Sequence, residues 1–206
     1  KTVDSNTLVV ATSISGNTDE TLTVLENSVK TNAKVIALSS GGKMEEVSSK
    51  NSIPYFKINQ THSPRASLLQ FLYSTLNILQ EFIPIKKADI TESLSQLKNI
   101  QKQICSSNLT DDNPALNLAK WINTIPVIYY PAGLQAAAIR FKNSMQENAK
   151  KHVITEDVIE ACHNGIVAWE ESSNLQPILI LGKDDYVKTK ERWEILKEFF
   201  QIKNIE

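Results

Sequence analysis

The chain has 206 residues, enough to bury a substantial core as one large domain or as two small ones. Its 22 Lys and Arg residues nearly balance 23 Asp and Glu residues, so the net charge of -1 gives no reason to expect nucleic acid or a membrane as partner. No apolar run approaches the roughly 20 residues that span a bilayer, and the N-terminus lacks the apolar core of a secretory signal. Two distant cysteines, Cys105 and Cys162, form no pattern of disulfides or metal ligands. We therefore expect a cytoplasmic protein.

The first part of the chain alternates short apolar runs with segments of helical periodicity. Strands are predicted at residues 7–12, 34–38 and 53–58. Helices are predicted at residues 18–30, 44–50 and 64–82, the last of which begins at a proline. This alternation indicates βαβ units and a parallel sheet.

The same theme returns after a helix predicted at residues 89–106 and a polar, turn-rich segment at 106–114. Further strands are predicted at 125–130 and 177–182, and further helices at 115–123, 134–150 and 185–201. The chain is therefore divided into a first α/β domain at 1–85, a helical linker at 86–113 and a second α/β domain at 114–206.

Four of these helices are predicted to bury one apolar stripe each. The stripes are Leu68, Leu72, Leu76 and Leu79; Ile90, Leu94, Leu97, Ile100 and Ile104; Leu134, Ala138, Phe141 and Met145; and Tyr186, Trp193, Leu196 and Phe200.

A loop rich in hydroxyl groups, Ser13-Ile14-Ser15-Gly16-Asn17-Thr18, joins the first predicted strand to the first predicted helix. Ligands bind at the carboxyl ends of strands in open α/β folds, and a helix N-terminus attracts anions. Hydroxyls of Ser13, Ser15 and Thr18 could therefore hold a phosphate. Alternatively, Ser15 or Thr18 caps the helix. The loop has neither the lysine of a P-loop nor the glycines of a dinucleotide fingerprint.

The loop resembles the phosphosugar loop of sugar isomerase (SIS) domains, and Ser39-Ser40-Gly41-Gly42 after the next strand fits the same domain. The resemblance implies a three-layer αβα fold, flavodoxin-like or Rossmann-like, with a central parallel sheet. It also implies that Ser13, Ser15 and Thr18 bind the phosphate of a phosphosugar. The two halves are then two SIS-like domains joined by a helical connection.

Three further segments resemble a narrower group, the archaeal-type bifunctional phosphoglucose/phosphomannose isomerases. They are His62-Ser63-Pro64-Arg65-Ala66, then Arg140-Phe141-Lys142 followed by Glu147-Asn148-Ala149-Lys150, and Glu160-Ala161-Cys162-His163-Asn164. On the residues alone, Arg65 is a surface arginine, Glu147 a solvent-facing glutamate and His163 an exposed or structural histidine. Cys162 beside His163 could suggest a nucleophile, but adjacent side chains seldom face each other.

The resemblance gives each of these residues a role in aldose–ketose isomerisation. It implies Glu147 as the catalytic base, His163 as the ring-opening group and Arg65 as the group that stabilises an enediolate. Two residues depart from the family pattern: Ile159, where a proline is common, and Gly165, where a glutamate is common. These departures concern the local backbone and leave His163 in place.

The implied protein is an isomerase that interconverts glucose 6-phosphate, and mannose 6-phosphate, with fructose 6-phosphate. It needs neither a metal nor another cofactor. Its site would lie between the two domains of a homodimer, with His163 contributed by the neighbouring subunit. The family has further segments before Lys1 and after Glu206, so we expect the chain to be a fragment. A non-catalytic phosphosugar-binding SIS protein and the isomerase part of a glutamine–fructose-6-phosphate amidotransferase are the alternatives.

Overall fold

The computed structural model describes residues 3–205. The chain separates into two compact units, one extending to Glu92 and the other beginning at Ser93. Each unit holds a three-stranded sheet in which all strands run parallel. Within the described residues, no helix is long and apolar enough to cross a membrane.

The first unit has its sheet in the order β1-β2-β3, with helices in the intervening connections. Its strands are β1 (Leu8–Ser13), β2 (Lys34–Ser39) and β3 (Tyr55–Lys57), and its helices are α1 (Asp19–Val29), α2 (Lys43–Lys50) and α3 (Leu68–Ile78). The core contains Ala11 and Ala37 of the sheet, Leu22 and Leu25 of α1, and Met44 of α2. Leu22 and Leu25 thus form the buried face of α1.

The prediction of one continuous helix over 64–82 is wrong, because the segment forms two separate helices. A 3₁₀ turn covers Pro64–Ala66, and α3 begins only at Leu68. Buried Ser67 separates them, and its hydroxyl donates to the carbonyl of Ser63 at 3.1 Å, which competes with a continuous helix. Leu68 and Leu72, predicted to be buried, are 42% and 44% exposed.

Helix α4 (Lys87–Ile104) begins in the first unit and ends in the second. Its predicted stripe is also largely wrong: Leu94, Ile100 and Ile104 are exposed, and Ile90 and Leu97 are half-buried. The compact units meet within this helix, at Glu92 and Ser93. The division into 1–85, 86–113 and 114–206 stays a prediction.

The second unit has its sheet in the order β5-β4-β6. Its strands are β4 (Ile125–Tyr130), β5 (Ile154–Asp157) and β6 (Leu175–Leu179), and its helices are α5 (Pro114–Trp121), α6 (Gln135–Ser144), α7 (Val158–His163) and α8 (Val187–Ile202). The central strand β4 is apolar along its length and buried from Pro126 to Tyr130, as expected for a strand covered on both faces.

The core of the second unit forms where β4, the segment after α7, and α8 pack together. Trp193, Leu196 and Phe200 of α8 are almost fully buried, as predicted. Trp169 packs edge-on against Phe200 and donates from its indole N–H to the Tyr129 hydroxyl at 2.8 Å. The two aromatic polar groups therefore satisfy each other inside the core.

Three sequence predictions fail in this unit. Strand β5 was missed, because Ile-Thr-Glu-Asp is short and mostly polar, and β6 begins two residues before the predicted start. Tyr186 was predicted to point inward but is 70% exposed, because α8 begins only after it, at Val187.

Candidate functional site

The hydroxyl-rich loop connects β1 to α1, as predicted. Ser13 is the last residue of β1 and is buried, and its Oγ lies 2.8 Å from Oγ1 of Thr18. The backbone N–H of Gly16 also donates to Ser13 Oγ, at 3.2 Å. The structure thus brings two of the three predicted phosphate ligands into direct contact at the start of a helix.

The third predicted ligand, Ser15, makes a contact within the loop: its Oγ accepts from the N–H of Asn17 at 3.2 Å. Thr18 occupies the N-cap position of α1, but its side chain makes no capping bond to the described helix. The alternative that Thr18 caps the helix through its side chain is therefore wrong. The bond that Ser15 accepts comes from Asn17, which precedes the helix, so it does not cap the helix either. The N-terminus of α1 is left for another acceptor to satisfy.

A second turn, Ser39–Gly42, follows β2 and packs directly on this loop. Both the N–H and the hydroxyl of Ser40 donate to the carbonyl of Ile14, at 2.9 and 2.6 Å. Gly16 has φ +68°, and a Cβ there would lie only 1.8 Å from the carbonyl oxygen of Gly41. The loop backbone is therefore fixed by its neighbour, and only glycine fits at position 16.

Arg65 lies on the first unit, in the 3₁₀ turn Pro64–Ala66, and is exposed. The sequence placed it at the start of a long helix. The observed turn instead precedes α3 and is set apart from it by Ser67.

Glu147 lies on the second unit, beyond the end of α6. The helix predicted to continue to Lys150 changes at Met145 into a π-helical turn, Met145–Ala149. Asn148 donates its side-chain amide to the carbonyl of Ser144 at 3.0 Å, which takes the acceptor that an α-helical turn would use. Lys150 then ends the turn with φ +56° and donates from Nζ to the Glu147 carbonyl. Glu147 itself is exposed.

His163 is the last residue of α7 and is exposed. Asp157 caps this helix by accepting from the N–H of Ile159 at 2.8 Å. Asp157 is also the last residue of β5, so this strand, which the sequence did not predict, leads directly into α7. Asn164 follows, and its amide lies 3.4 Å from a carboxylate oxygen of Glu160. The three matching residues of this motif thus surround one helix end.

Glu156, on β5, is a residue of this region that sequence reasoning missed. A Cβ added to Gly165 would lie 2.8 Å from its Oε1, so the carboxylate occupies the space of a side chain at 165. Burial raises the pKa of Glu156, and the charge of Glu160 raises it further. The Glu156 carboxylate thus lies where a side chain at Gly165 would extend, and nothing in the pattern of Ile154–Asp157 indicates this contact.

Cys162 does not suit the role of a nucleophile. Burial raises the pKa of its thiol, and the opposing charge of Arg192 is the smaller effect. A raised pKa leaves less thiolate at neutral pH. Among residues 3–205, no group of three or more His, Cys, Asp or Glu side chains is placed to hold a metal ion.

Comparison with known proteins confirms the resemblance found in the motifs. Residues 111–206 match the family described as bacterial phospho-glucose isomerase C-terminal SIS domain. The bifunctional phosphoglucose/phosphomannose isomerase of Caldicellulosiruptor bescii is 30% identical over 97% of this chain and 61% of its own length. The protein of the same name from Thermoplasma acidophilum is 35% identical over 79% of this chain and 48% of its own length.

Two other comparisons broaden this result. A D-glucosamine-6-phosphate 4-epimerase from Sulfolobus acidocaldarius is 28% identical over 90% of this chain and 58% of its own length. The C-terminal domain of glucosamine-fructose-6-phosphate aminotransferase from Francisella tularensis has a TM-score of 0.62 at 19% identity, covering 96% of this chain and 57% of that one. The fold is thus an SIS-like α/β fold with parallel sheets. The chain spans 48 to 61% of the length of these three curated relatives.

Proposed function

We propose that this chain serves the aldose–ketose isomerisation of hexose 6-phosphates. Its residues 111–206 match an isomerase SIS domain, and most of the chain is similar in sequence to bifunctional phosphoglucose/phosphomannose isomerases. The observation that carries the proposal is the contact between the Ser13 and Thr18 hydroxyls at the start of α1. The contact brings two hydroxyl groups together at a helix N-terminus, within the loop that resembles the phosphosugar loop of SIS domains.

In the proposed site, Ser13, Ser15 and Thr18 hold the phosphate of the sugar. Their hydroxyls can rotate from one another toward an anion, and the unsatisfied N–H groups at the start of α1 favour negative charge. No lysine is required. The phosphate lies far from the reacting carbons, so its binding energy orients the substrate for the chemical step.

In the proposed reaction, Glu147 takes the proton from C2 of the open-chain aldose and returns it to C1. His163 moves a proton between the ring oxygen and the anomeric hydroxyl as the ring opens. Arg65 stabilises the negative charge on the enediolate oxygen. The hydroxyl proton of O2 passes to O1 in the same interconversion, so the net change is a shift of hydrogen within the sugar and calls for neither a metal nor a redox cofactor. We extend the proposal to mannose 6-phosphate because the relatives are named bifunctional phosphoglucose/phosphomannose isomerases.

Local structure supports Glu147 as the base. Its carboxylate is on an exposed turn, where a substrate can reach it, and π-helical turns occur frequently at functional sites. His163 is similarly exposed at a helix end. We further propose that each sheet with its helices is one SIS-like half, and that the boundaries follow the predicted 1–85, 86–113 and 114–206.

The test is a coupled assay of the purified protein, which measures glucose 6-phosphate formed from fructose 6-phosphate, together with calorimetric binding of fructose 6-phosphate. We expect both binding and turnover. Saturable binding without turnover would instead indicate a non-catalytic phosphosugar-binding protein. Turnover only in the presence of glutamine, with glucosamine 6-phosphate as product, would indicate an amidotransferase.

A second candidate function is epimerisation of an amino-sugar phosphate, favoured by the relative from Sulfolobus acidocaldarius. It would use the same phosphate loop with a different sugar. Product analysis by NMR after incubation with D-glucosamine 6-phosphate separates the two functions. A 4-epimer formed from it, with fructose 6-phosphate left unchanged, would favour the epimerase.

We also propose a homodimer in which His163 serves the partner's site. Mixing and refolding Glu147→Gln with His163→Gln would then restore about a quarter of the original activity, because half of the dimers are mixed and each has one intact site. If His163 acts in its own subunit, the mixture stays inactive. The matched control, His152→Gln, should retain full activity because no role is assigned to His152.

A further inference from the structure

Asn17 lies inside the hydroxyl-rich loop, yet its side chain reaches the next helix along the chain. Its Oδ1 accepts from the backbone N–H of Lys43, the first residue of α2, at 3.0 Å. The N-cap position of α2 is Gly42, which has no side chain to supply such a bond. Asn17 therefore caps a helix from which it is separated by 26 positions.

Gly42 is shaped to receive this side chain. It has φ +72°, and a Cβ at that position would lie 2.4 Å from the carbonyl oxygen of Ser15 and 2.8 Å from Oδ1 of Asn17. The contact mirrors the one at Gly16, whose missing side chain makes room for Gly41. Each turn thus contains a glycine that the other turn requires.

Backbone bonds complete the connection. The N–H of Met44 donates to the carbonyl of Gly16 at 2.9 Å, next to the bond from Lys43 to Asn17. Two consecutive N–H groups at the start of α2 are therefore bonded to two consecutive residues of the loop. Any shift of the loop backbone would move or break both bonds.

We propose that Asn17 is a positioning residue that couples anion binding in the loop to the first turn of α2. Asn17 stands immediately before Thr18 and donates its own N–H to Ser15, so it contacts or adjoins two of the proposed phosphate ligands. Ordering of the loop by an anion then strengthens the bond to Lys43, and the bond to Lys43 in turn holds the loop ready for the anion. This inference rests on the proposed phosphate site.

The experiment compares the original chain with Asn17→Ala, using fructose 6-phosphate as the probe. Calorimetry gives the affinity, and hydrogen–deuterium exchange gives the protection of the first turn of α2. We expect the ligand to slow exchange at Lys43 and Met44 in the original chain only, and Asn17→Ala to bind about tenfold more weakly, the effect of one lost hydrogen bond.

Asn51→Ala is the matched control, because Asn51 caps the other end of α2 by donating to the Val47 carbonyl at 2.8 Å. It should lower the melting temperature to a similar extent, leaving affinity and ligand-dependent protection unchanged. Equal loss of affinity in both variants would show that Asn17 acts only through helix stability and would overturn the proposal.

Asn17→Asp provides a second variant, should Asn17→Ala fail to fold. It keeps an oxygen that accepts from Lys43, so protection at saturating ligand should persist even though the added charge weakens affinity. Loss of that protection would contradict the coupling. Ser13→Ala separates this inference from the proposed function: if it weakens binding tenfold or more and Asn17→Ala leaves the affinity unchanged, only the coupling is wrong. If the original chain does not bind the probe, both are wrong.

Discussion

The two units hold their candidate residues in different ways. In the first unit, Ser13 and Thr18 belong to a single six-residue loop, whose backbone is bonded at Ile14 by the second turn and at Gly16 by Met44 of α2. In the second unit, Glu147 and His163 are exposed residues at the ends of two helices. The loop geometry follows from contiguous residues and one neighbouring turn. The placement of the other two depends on where each helix stops.

The two arrangements suit different tasks, namely binding an anion and transferring protons. Binding a phosphate calls for several donors at fixed mutual distances, which an interlocked loop provides. In the proposed reaction, a base and a ring-opening group act one at a time on different atoms, and their exposure at helix ends is compatible with access to a substrate. We therefore expect changes in the loop to alter affinity or stability and changes at the helix ends to alter turnover.

The largest expected effect is that of Glu147→Gln on turnover. Loss of the base should lower kcat about 10³-fold, in the range for general base catalysis, while the affinity for fructose 6-phosphate stays the same. The coupled assay and calorimetry measure the two quantities. Glu194→Gln, which removes an exposed glutamate paired with Lys197, is the control and should retain full activity. An unchanged kcat in Glu147→Gln would contradict the assignment of Glu147 as the base.

Next in size is the effect of Gly16→Ala on stability. A Cβ would collide with the Gly41 carbonyl at a backbone conformation that disfavours side chains, so we expect about 3 kcal/mol of destabilisation. Gly133→Ala is the control, with φ +90° but open space around its Cβ among the described residues, and should cost about 1 kcal/mol. Urea unfolding measures both. Equal effects would mean that the two turns are not interlocked.

Ser13→Ala and Thr18→Ala should each weaken binding of fructose 6-phosphate by roughly 10-fold or more, because each removes a hydrogen bond to a charged group. Both should leave kcat nearly unchanged. Ser28→Ala is the control on the same helix, since its hydroxyl donates to the Val24 carbonyl at the far end of α1. Affinity equal to that of the original chain in both loop variants would contradict the phosphate site.

Tyr129→Phe tests the core beneath the helix ends of the second unit. It leaves the indole N–H of Trp169 without its acceptor and should cost about 1 to 2 kcal/mol of stability at neutral pH. Burial raises the pKa of Tyr129 to about 12, against the opposing effect of the Trp169 hydrogen bond. Because the folded state holds this proton more tightly, its contribution is complete below pH 10 and is lost as pH rises toward 12.

Thermal unfolding between pH 8 and 12 measures that loss, which Tyr129→Phe should reduce. Tyr130→Phe is the control, since the Tyr130 hydroxyl accepts only a longer bond, 3.3 Å from Gln135. If the pH slope of Tyr129→Phe equals that of the original chain, the buried phenol is not its source.

The smallest expected effect is that of Glu156→Gln. Burial and the charge of Glu160 both disfavour the ionised carboxylate of Glu156. Replacing this carboxylate by a neutral amide should therefore raise the melting temperature at pH 7, by about 1 to 2 °C after allowance for solvent screening. The raised pKa means that the folded state gains stability as pH falls through it, so the advantage of Gln should shrink toward pH 4. Exposed Glu170→Gln is the control and should show no such trend.

Sequence periodicity predicted the strands β1, β2 and β4 well, because they are continuous apolar runs. It could not predict β5, whose polar residues give no period-two signal, although this strand leads into the helix that carries His163. The stripes of α3 and α4 are apolar yet exposed or only half-buried, because periodicity reveals an amphipathic face but not what covers it. The position of the hydroxyl-rich loop between β1 and α1 follows from the sequence, and its binding of phosphate stays a prediction. Its contacts with the Ser39–Gly42 turn join residues distant in the chain, which periodicity does not reveal.

The π-helical turn at Met145–Ala149 has a consequence for how this region tolerates length changes. Successive side chains of an α-helix point about 100° apart, and a π-helical turn holds one more residue than an α-helical one. The side chains of this turn are therefore out of phase with those of α6, and the helix ends directly after it, at Lys150. Deleting Asn148 would remove the amide that bonds Ser144 and restore the α-helical spacing within the turn. Such a deletion would therefore rotate the side chains left in the turn about the axis of α6 as well as shorten the turn.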